Sequence, residues 1–210
     1  MLEPLRCNAL TTVITLDLYE FRDLTSLVGW QLPQLRVLCI DSCGSLTSLR
    51  GVPSGLTHLR CYNCATLTLE GVAAAGLSRL LRVELQFCES ITSFEAVSGA
   101  GLSALYQLNL SRCPKLTSLR GLERCGASSL HKLCLAYSPV TSLQPLALCG
   151  LTSLSELDLS GCTRLTSLEG LASLPALAKL AVCACTQFRL SRAVFGEHMA
   201  VKVDPNGWLD

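Results

Sequence analysis

The sequence predicts an α/β solenoid, with a curved parallel β-sheet on its concave face and short 3₁₀ or α turns and loops on its convex face. Three observations predict it. Eight copies align on the pattern L-x-L-x-x-C at nearly even intervals, six of them with the cysteine, starting at Leu16, Leu38, Leu59, Val83, Leu108, Leu133, Leu157 and Leu180. Half of the 210 residues are hydrophobic but only 5% are aromatic, so the core must be mostly aliphatic. Finally, the leucines alternate two apart and then return in L-T-S-L and G-L segments. That is the signature of one short supersecondary unit stacked many times.

Each position of the repeat has a physical assignment. In L-x-L both leucines fall on one face of a strand, pointing into the tube. The L-T-S-L and G-L segments add further inward leucines while the chain turns back along the convex side. Gly51, Gly71, Gly121 and Gly170 recur at one phase, where a tight turn or a close backbone approach is expected. So few residues remain per coil that the convex side has room only for short turns. Eight parallel strands about 4.8 Å apart make a sheet on the order of 35 Å long.

Leu157-Asp-Leu-Ser-Gly-Cys162 followed by Leu165-Thr-Ser-Leu168-Glu-Gly-Leu171 is the clearest copy, and Leu108 to Leu122 matches it almost throughout. These residues resemble the leucine-rich-repeat family in its cysteine-containing variant, where Cys replaces the usual Asn after the strand. The resemblance covers about 180 of the 210 residues. It implies a leucine-rich-repeat solenoid, and the style of the repeat is similar to that of kinetoplastid leucine-rich-repeat proteins.

Two copies depart from the pattern. The third contracts its second half to Leu67-Thr-Leu69, and the sixth, Leu133 to Val140, is one residue short and lacks the ladder cysteine. A ninth strand is expected at Val201-Lys-Val203, one repeat length after Leu180. The predicted organisation is an N-terminal cap over residues 1–10, an array of about eight coils over 11–190, and a cap or degenerate ninth coil over 191–210. Leu2, Leu5 and Leu10 would cover one end, and Val194, Phe195 and Trp208 the other.

Thirteen cysteines would suit a disulfide scaffold, but the repeat accounts for most of them. Cys43, Cys64, Cys88, Cys113, Cys162 and Cys185 occupy the ladder position, where a buried thiol can donate weakly to carbonyls of the next coil. Cys61-Tyr-Asn-Cys64 with His58 superficially suggests metal or redox chemistry. However, Cys61 falls on an inward leucine position and His58 on an outward one, so neither metal nor cofactor is expected. Cys39, Cys134 and Cys183 fall on outward positions and are expected to be exposed. The pattern suits a reducing, cytoplasmic compartment.

The near-zero formal charge, +1, argues against a nucleic-acid footprint and an anionic membrane surface. No apolar run is long enough for a membrane-spanning helix. The N-terminus, Met1 to Cys7, lacks the pattern of a secretory signal. The three histidines are scattered and no phosphate loop is present, so no enzyme is expected.

Functional information is therefore sought on the outward strand positions. The candidate partner-binding residues are Tyr19, Asp41, Arg60, Tyr62, Arg82, Glu84, Phe87, Arg112, Lys132 and Tyr137. Four of the nine Phe and Tyr residues fall there, among arginines, and both types are favoured at interface hot spots. Acidic residues gather toward the N-terminal end and basic ones in the middle, while the last two repeats carry small residues. The expected function is a non-catalytic protein-interaction module or adaptor with its partner on the concave face. The alternatives are the repeat region of a ubiquitin-ligase substrate receptor, a secreted or surface recognition protein, and an RNA-associated assembly component. The last would use the track Arg60, Arg82, Arg112, Lys132 and Lys179.

Overall fold

The structure, a computed structural model, describes residues 10–185 and the two strands at 200–203 and 207–209. Ten strands form one sheet in sequence order: β1 (Thr15–Tyr19), β2 (Val37–Asp41), β3 (His58–Tyr62), β4 (Arg82–Gln86), β5 (Gln107–Asn109), β6 (Lys132–Cys134), β7 (Glu156–Asp158), β8 (Lys179–Ala181), β9 (Ala200–Val203) and β10 (Gly207–Leu209). β1 to β9 run parallel, and β10 turns back antiparallel on β9. The register pairs Leu16, Leu38, Leu59, Val83, Leu108, Leu133, Leu157 and Leu180 in turn, as the sequence alignment has them. Val201 pairs with Leu180, so the ninth strand is present. The proposed capping roles of Leu2, Leu5, Val194 and Phe195 lie outside the described residues, as does the side chain of Trp208.

One hydrophobic cluster runs through the tube from Leu18 to Val182. The two leucines of L-x-L supply its sheet side and the L-T-S-L leucines its floor, so each inner coil buries its inward positions against both neighbours. β1 to β4 have five residues, whereas β5 to β8 have three. In two of the short strands a side chain ends the pairing. Asn109 Oδ1 accepts from the Ser111 amide and Asp158 Oδ1 from the Ser160 amide, both at 2.9 Å, closing local turns.

The L-T-S-L phrase has a second role beyond its leucines. The hydroxyls of Ser26, Ser118, Ser142 and Ser167 each accept from the amide two residues on, at 3.0–3.2 Å, which starts the turn onto the convex side. The glycine that follows meets both conditions the sequence suggested. At Gly51 φ is +85°, and a Cβ would lie 2.6 Å from Leu27 O. At Gly121 φ is +96°, and a Cβ would overlap the Phe94 carbonyl of the coil before. The fourth and sixth coils carry Ala96 and Pro145 at this phase. They enter a 3₁₀ turn at Glu95–Val97 and the one-turn helix α1 (Gln144–Ala147) without a left-handed step.

The ladder differs from expectation in direction and in membership. The thiols donate to the preceding coil: Cys113 Sγ to Leu85 O at 3.0 Å, Cys162 to Leu135 O at 3.3 Å and Cys185 to Leu159 O at 3.1 Å. Backbone amides explain the direction. The residue before each ladder position donates its N–H forward to the next coil, as Ser42 does to Tyr62 O and Arg112 to Ala136 O. The carbonyls left over are those of the coil behind. The sixth coil is not a gap, because Ser138 occupies the ladder position, fully buried. Its hydroxyl donates to Leu110 O at 2.8 Å and accepts from the Cys113 amide at 3.1 Å.

Candidate binding face

The outward positions of the strands form three rows across the sheet, and a fourth row lies just past the strand ends. The fourth row consists of Glu20, Ser42, Asn63, Phe87, Arg112, Tyr137, Gly161 and Ala184, all with positive φ. A left-handed backbone costs a non-glycine residue roughly 1–2 kcal/mol. Here the forward hydrogen bond helps to hold it, for example Phe87 N–H to Ser111 O at 3.3 Å and Tyr137 N–H to Ser160 O at 2.7 Å. Large side chains at these positions are therefore fixed in relation to the sheet.

Five of the candidate residues come together there. The Tyr62 and Phe87 rings tilt against each other with centroids 5.0 Å apart. The Arg112 guanidinium stands 5.4 Å from the Phe87 centroid and 4.5 Å from that of Tyr137. Arg60 lies over Tyr62 at 6.0 Å. Tyr137 leans onto Gly161, where any Cβ would run into its ring. The result is a ridge of two cations and three rings across four coils, each cation–π contact worth about 0.5–1 kcal/mol when exposed.

The other candidates are placed differently. Tyr19 and Asp41 face each other in register on β1 and β2, apart from the ridge, and Tyr19 is 65% exposed. The charge of Glu20, followed by a hydrogen bond from Tyr19 to that carboxylate, raises the Tyr19 pKa. Glu84 pairs with Arg60 at 3.9 Å. Lys132 pairs with Glu156 at 3.0 Å, and Glu156 also holds Lys179 at 3.1 Å. These two lysines are the main reason the Glu156 carboxyl sits below the usual range. Three of the five cations in the basic track read from the sequence are thus paired, with two carboxylates between them. Among the described residues, only Arg82 and Arg112 of its five cations lack a carboxylate partner.

Several expectations are corrected. Ala136, which the strand alternation would turn outward, is buried beside Tyr137. Cys39, Cys134 and Cys183 are half-buried rather than exposed, because neighbouring coils stand only a strand spacing away. Burial, foremost, pushes the Cys39 and Cys134 thiols up to about 11. A trough of about 290 Å³ lies over β5 to β8, bordered by Gln107, Lys132, Cys134, Glu156, Asp158 and Ala181. Cys61 and Cys64 are fully buried. Burial holds Cys61 well above the ordinary thiol range and Cys64 at about 11, so both stay protonated.

Sequence reasoning missed a second aromatic contact at the opposite strand ends. Tyr106 stacks on His131 with centroids 4.6 Å apart, next to exposed Leu81. Both aromatic residues precede the first outward row by one position, so a reading confined to the strand could not register them. Their separation by one repeat length was the available signal.

In comparison with known proteins, residues 128–180 match the family model described as Leucine Rich repeats (2 copies). No curated protein matches the chain in sequence. Among solved structures, an internalin (inlF) from Listeria monocytogenes aligns at TM-score 0.70 and 21% identity, over 92% of this chain and 55% of that one. An internalin C2 (inlC2) from the same organism aligns at TM-score 0.57 and 20% identity, over 92% of this chain and 82% of that one. This chain therefore spans little more than half the length of the first internalin. At these identities the likeness concerns the fold. The repeat register, the buried ladder and the likeness to the internalins give the chain the leucine-rich-repeat solenoid fold, and residues 128–180 match the family model itself.

Proposed function

We propose that this solenoid is a non-catalytic protein-interaction module, an adaptor whose partner lies across the concave sheet face. The observation that carries this reading is the ridge Arg60, Tyr62, Phe87, Arg112 and Tyr137. It places three aromatic rings and two arginines on one fixed, solvent-facing line. Such residues supply most of the energy at protein interfaces, and their fixed backbone lowers the ordering cost of binding. Tyr137 remains 53% exposed although it is packed on two neighbours.

A reducing, cytoplasmic setting fits the ladder, because each ladder sulfur acts as an S–H donor and a disulfide would remove that hydrogen. An RNA partner is disfavoured by the pairing of Arg60, Lys132 and Lys179 with Glu84 and Glu156. The test is affinity capture from the source cells, followed by binding measurements on the recovered partner. Replacing Phe87 and Arg112 together by Ala should weaken binding by several kcal/mol, with the circular dichroism spectrum unchanged. Unchanged affinity in that variant would refute the placement.

A further inference from the structure

Most of the charges left after internal pairing gather at two poles, with Asp158 on β7 outside both. Asp17, Glu20 and Asp41 lie on and just past β1 and β2, and among the described residues none forms an ion pair. Arg82 and Arg112 lie on β4 and just past β5, also without a carboxylate. Toward the C-terminal end, Lys132 and Lys179 share Glu156. The strip therefore runs from an unpaired negative pole to an unpaired positive one, with Tyr62 and Phe87 between them.

Arg112 has the geometry of a carboxylate receiver. With Phe87 at 5.4 Å and Tyr137 at 4.5 Å from its guanidinium, contacts with both rings constrain the side chain. A planar guanidinium held between rings keeps its edge N–H donors for a bidentate acceptor, and Arg suits that role better than Lys. From β2 to β5 is three strand steps and from β1 four, about 14–19 Å at a strand spacing near 4.8 Å. An extended chain covers that span in about four to six residues at roughly 3.3 Å each.

We infer that the sheet face takes an extended protein segment of bipolar charge. A carboxylate of this segment sits on Arg112, and a cationic residue four to six positions away sits among Asp17, Glu20 and Asp41, with apolar residues over Tyr62 and Phe87. This rests on the protein-binding reading above and adds the chemistry of the partner.

The test is fluorescence polarisation of the full chain with dye-labelled peptides of one apolar framework. They differ only at two positions five residues apart, which carry Lys and Glu, Lys and Lys, Glu and Glu, or Gln and Gln. At low salt the Lys/Glu peptide should bind at least about tenfold more tightly than the Gln/Gln peptide, the scale of a charge-assisted pair. Arg112→Gln should abolish the advantage contributed by Glu, and Arg112→Lys should restore only part of it. Asp41→Asn should weaken the Lys/Glu and Lys/Lys peptides and should not weaken Glu/Glu, whose repulsion from this pole it relieves. Arg124→Gln, on the convex side, should change nothing. Equal binding of all four peptides, lost in Phe87→Ala, would overturn the bipolar assignment while leaving the binding face in place. No binding by any peptide, or an order of affinities unaltered by Arg112→Gln, would also overturn it.

Discussion

Ser138 provides the sharpest test of how the ladder holds neighbouring coils together. Its hydroxyl is fully buried and bridges two backbone groups of the coil behind, donating to Leu110 O and accepting from the Cys113 N–H. In Ser138→Ala both groups lose this partner inside the tube, where an unmet donor or acceptor costs about 1–3 kcal/mol. Two such groups, with some relaxation, give an expected loss of about 3 kcal/mol. For a chain of this size that corresponds to a drop of roughly 6–12 °C in Tm. Ser138→Cys should fall between wild type and Ala. A thiol at this position can still reach the preceding carbonyl, as Cys113 and Cys162 do at 3.0 and 3.3 Å, but sulfur accepts poorly from the amide. Urea denaturation read by far-ultraviolet circular dichroism and by the fluorescence of buried Trp30 measures this, and coincident transitions license a single free energy. Ser138→Ala within about 0.5 kcal/mol of wild type would refute the bridging role. So would a Cys variant no better than Ala.

Gly121→Ala combines a left-handed φ with overlap against the Phe94 backbone and should cost more than about 3 kcal/mol. Gly99→Ala, at φ +76° with open space around it, should cost only about 1 kcal/mol in the same denaturation assay. Glu156→Gln should lower stability by no more than about 1 kcal/mol at neutral pH, as expected for exposed pairs. Because its pKa is depressed in the folded state, the contribution is present above the unfolded carboxylate pKa and vanishes as pH falls through the folded value. Melting curves of the two proteins should therefore converge in acid. The ladder thiols behave oppositely. Burial raises Cys113 to about 11 and Cys88 and Cys162 to about 12. The stability they contribute is present below the ordinary thiol pKa and is lost as pH rises toward 11–12, so Tm should fall across that window. At pH 8 a disulfide reagent should label these thiols far more slowly in the native protein than in urea. Equal rates would contradict their burial.

The strand register and the inward leucines of the L-x-L, L-T-S-L and G-L segments were legible in the order of residues alone. Those follow from a local rule: an L-x-L pair has only one face that can be buried, and a short repeat of nearly constant length stacks its copies in phase. The same rule assigned Cys61 and Cys64 to the tube. It did not reveal Ser138 as a ladder member, because the pattern was anchored on the sulfur of cysteine rather than on a small side chain able to donate. Nor could it give the ladder's direction, which depends on amides having already been used by the next coil. All ten candidate residues lie on the strands or just past them. Separating them took the folded arrangement, which joins Phe87, Arg112 and Tyr137 through left-handed backbones and neutralises Arg60 and Lys132 through Glu84 and Glu156. Contacts of this kind run between successive coils. They depend on side-chain direction and partner position, which no single repeat encodes.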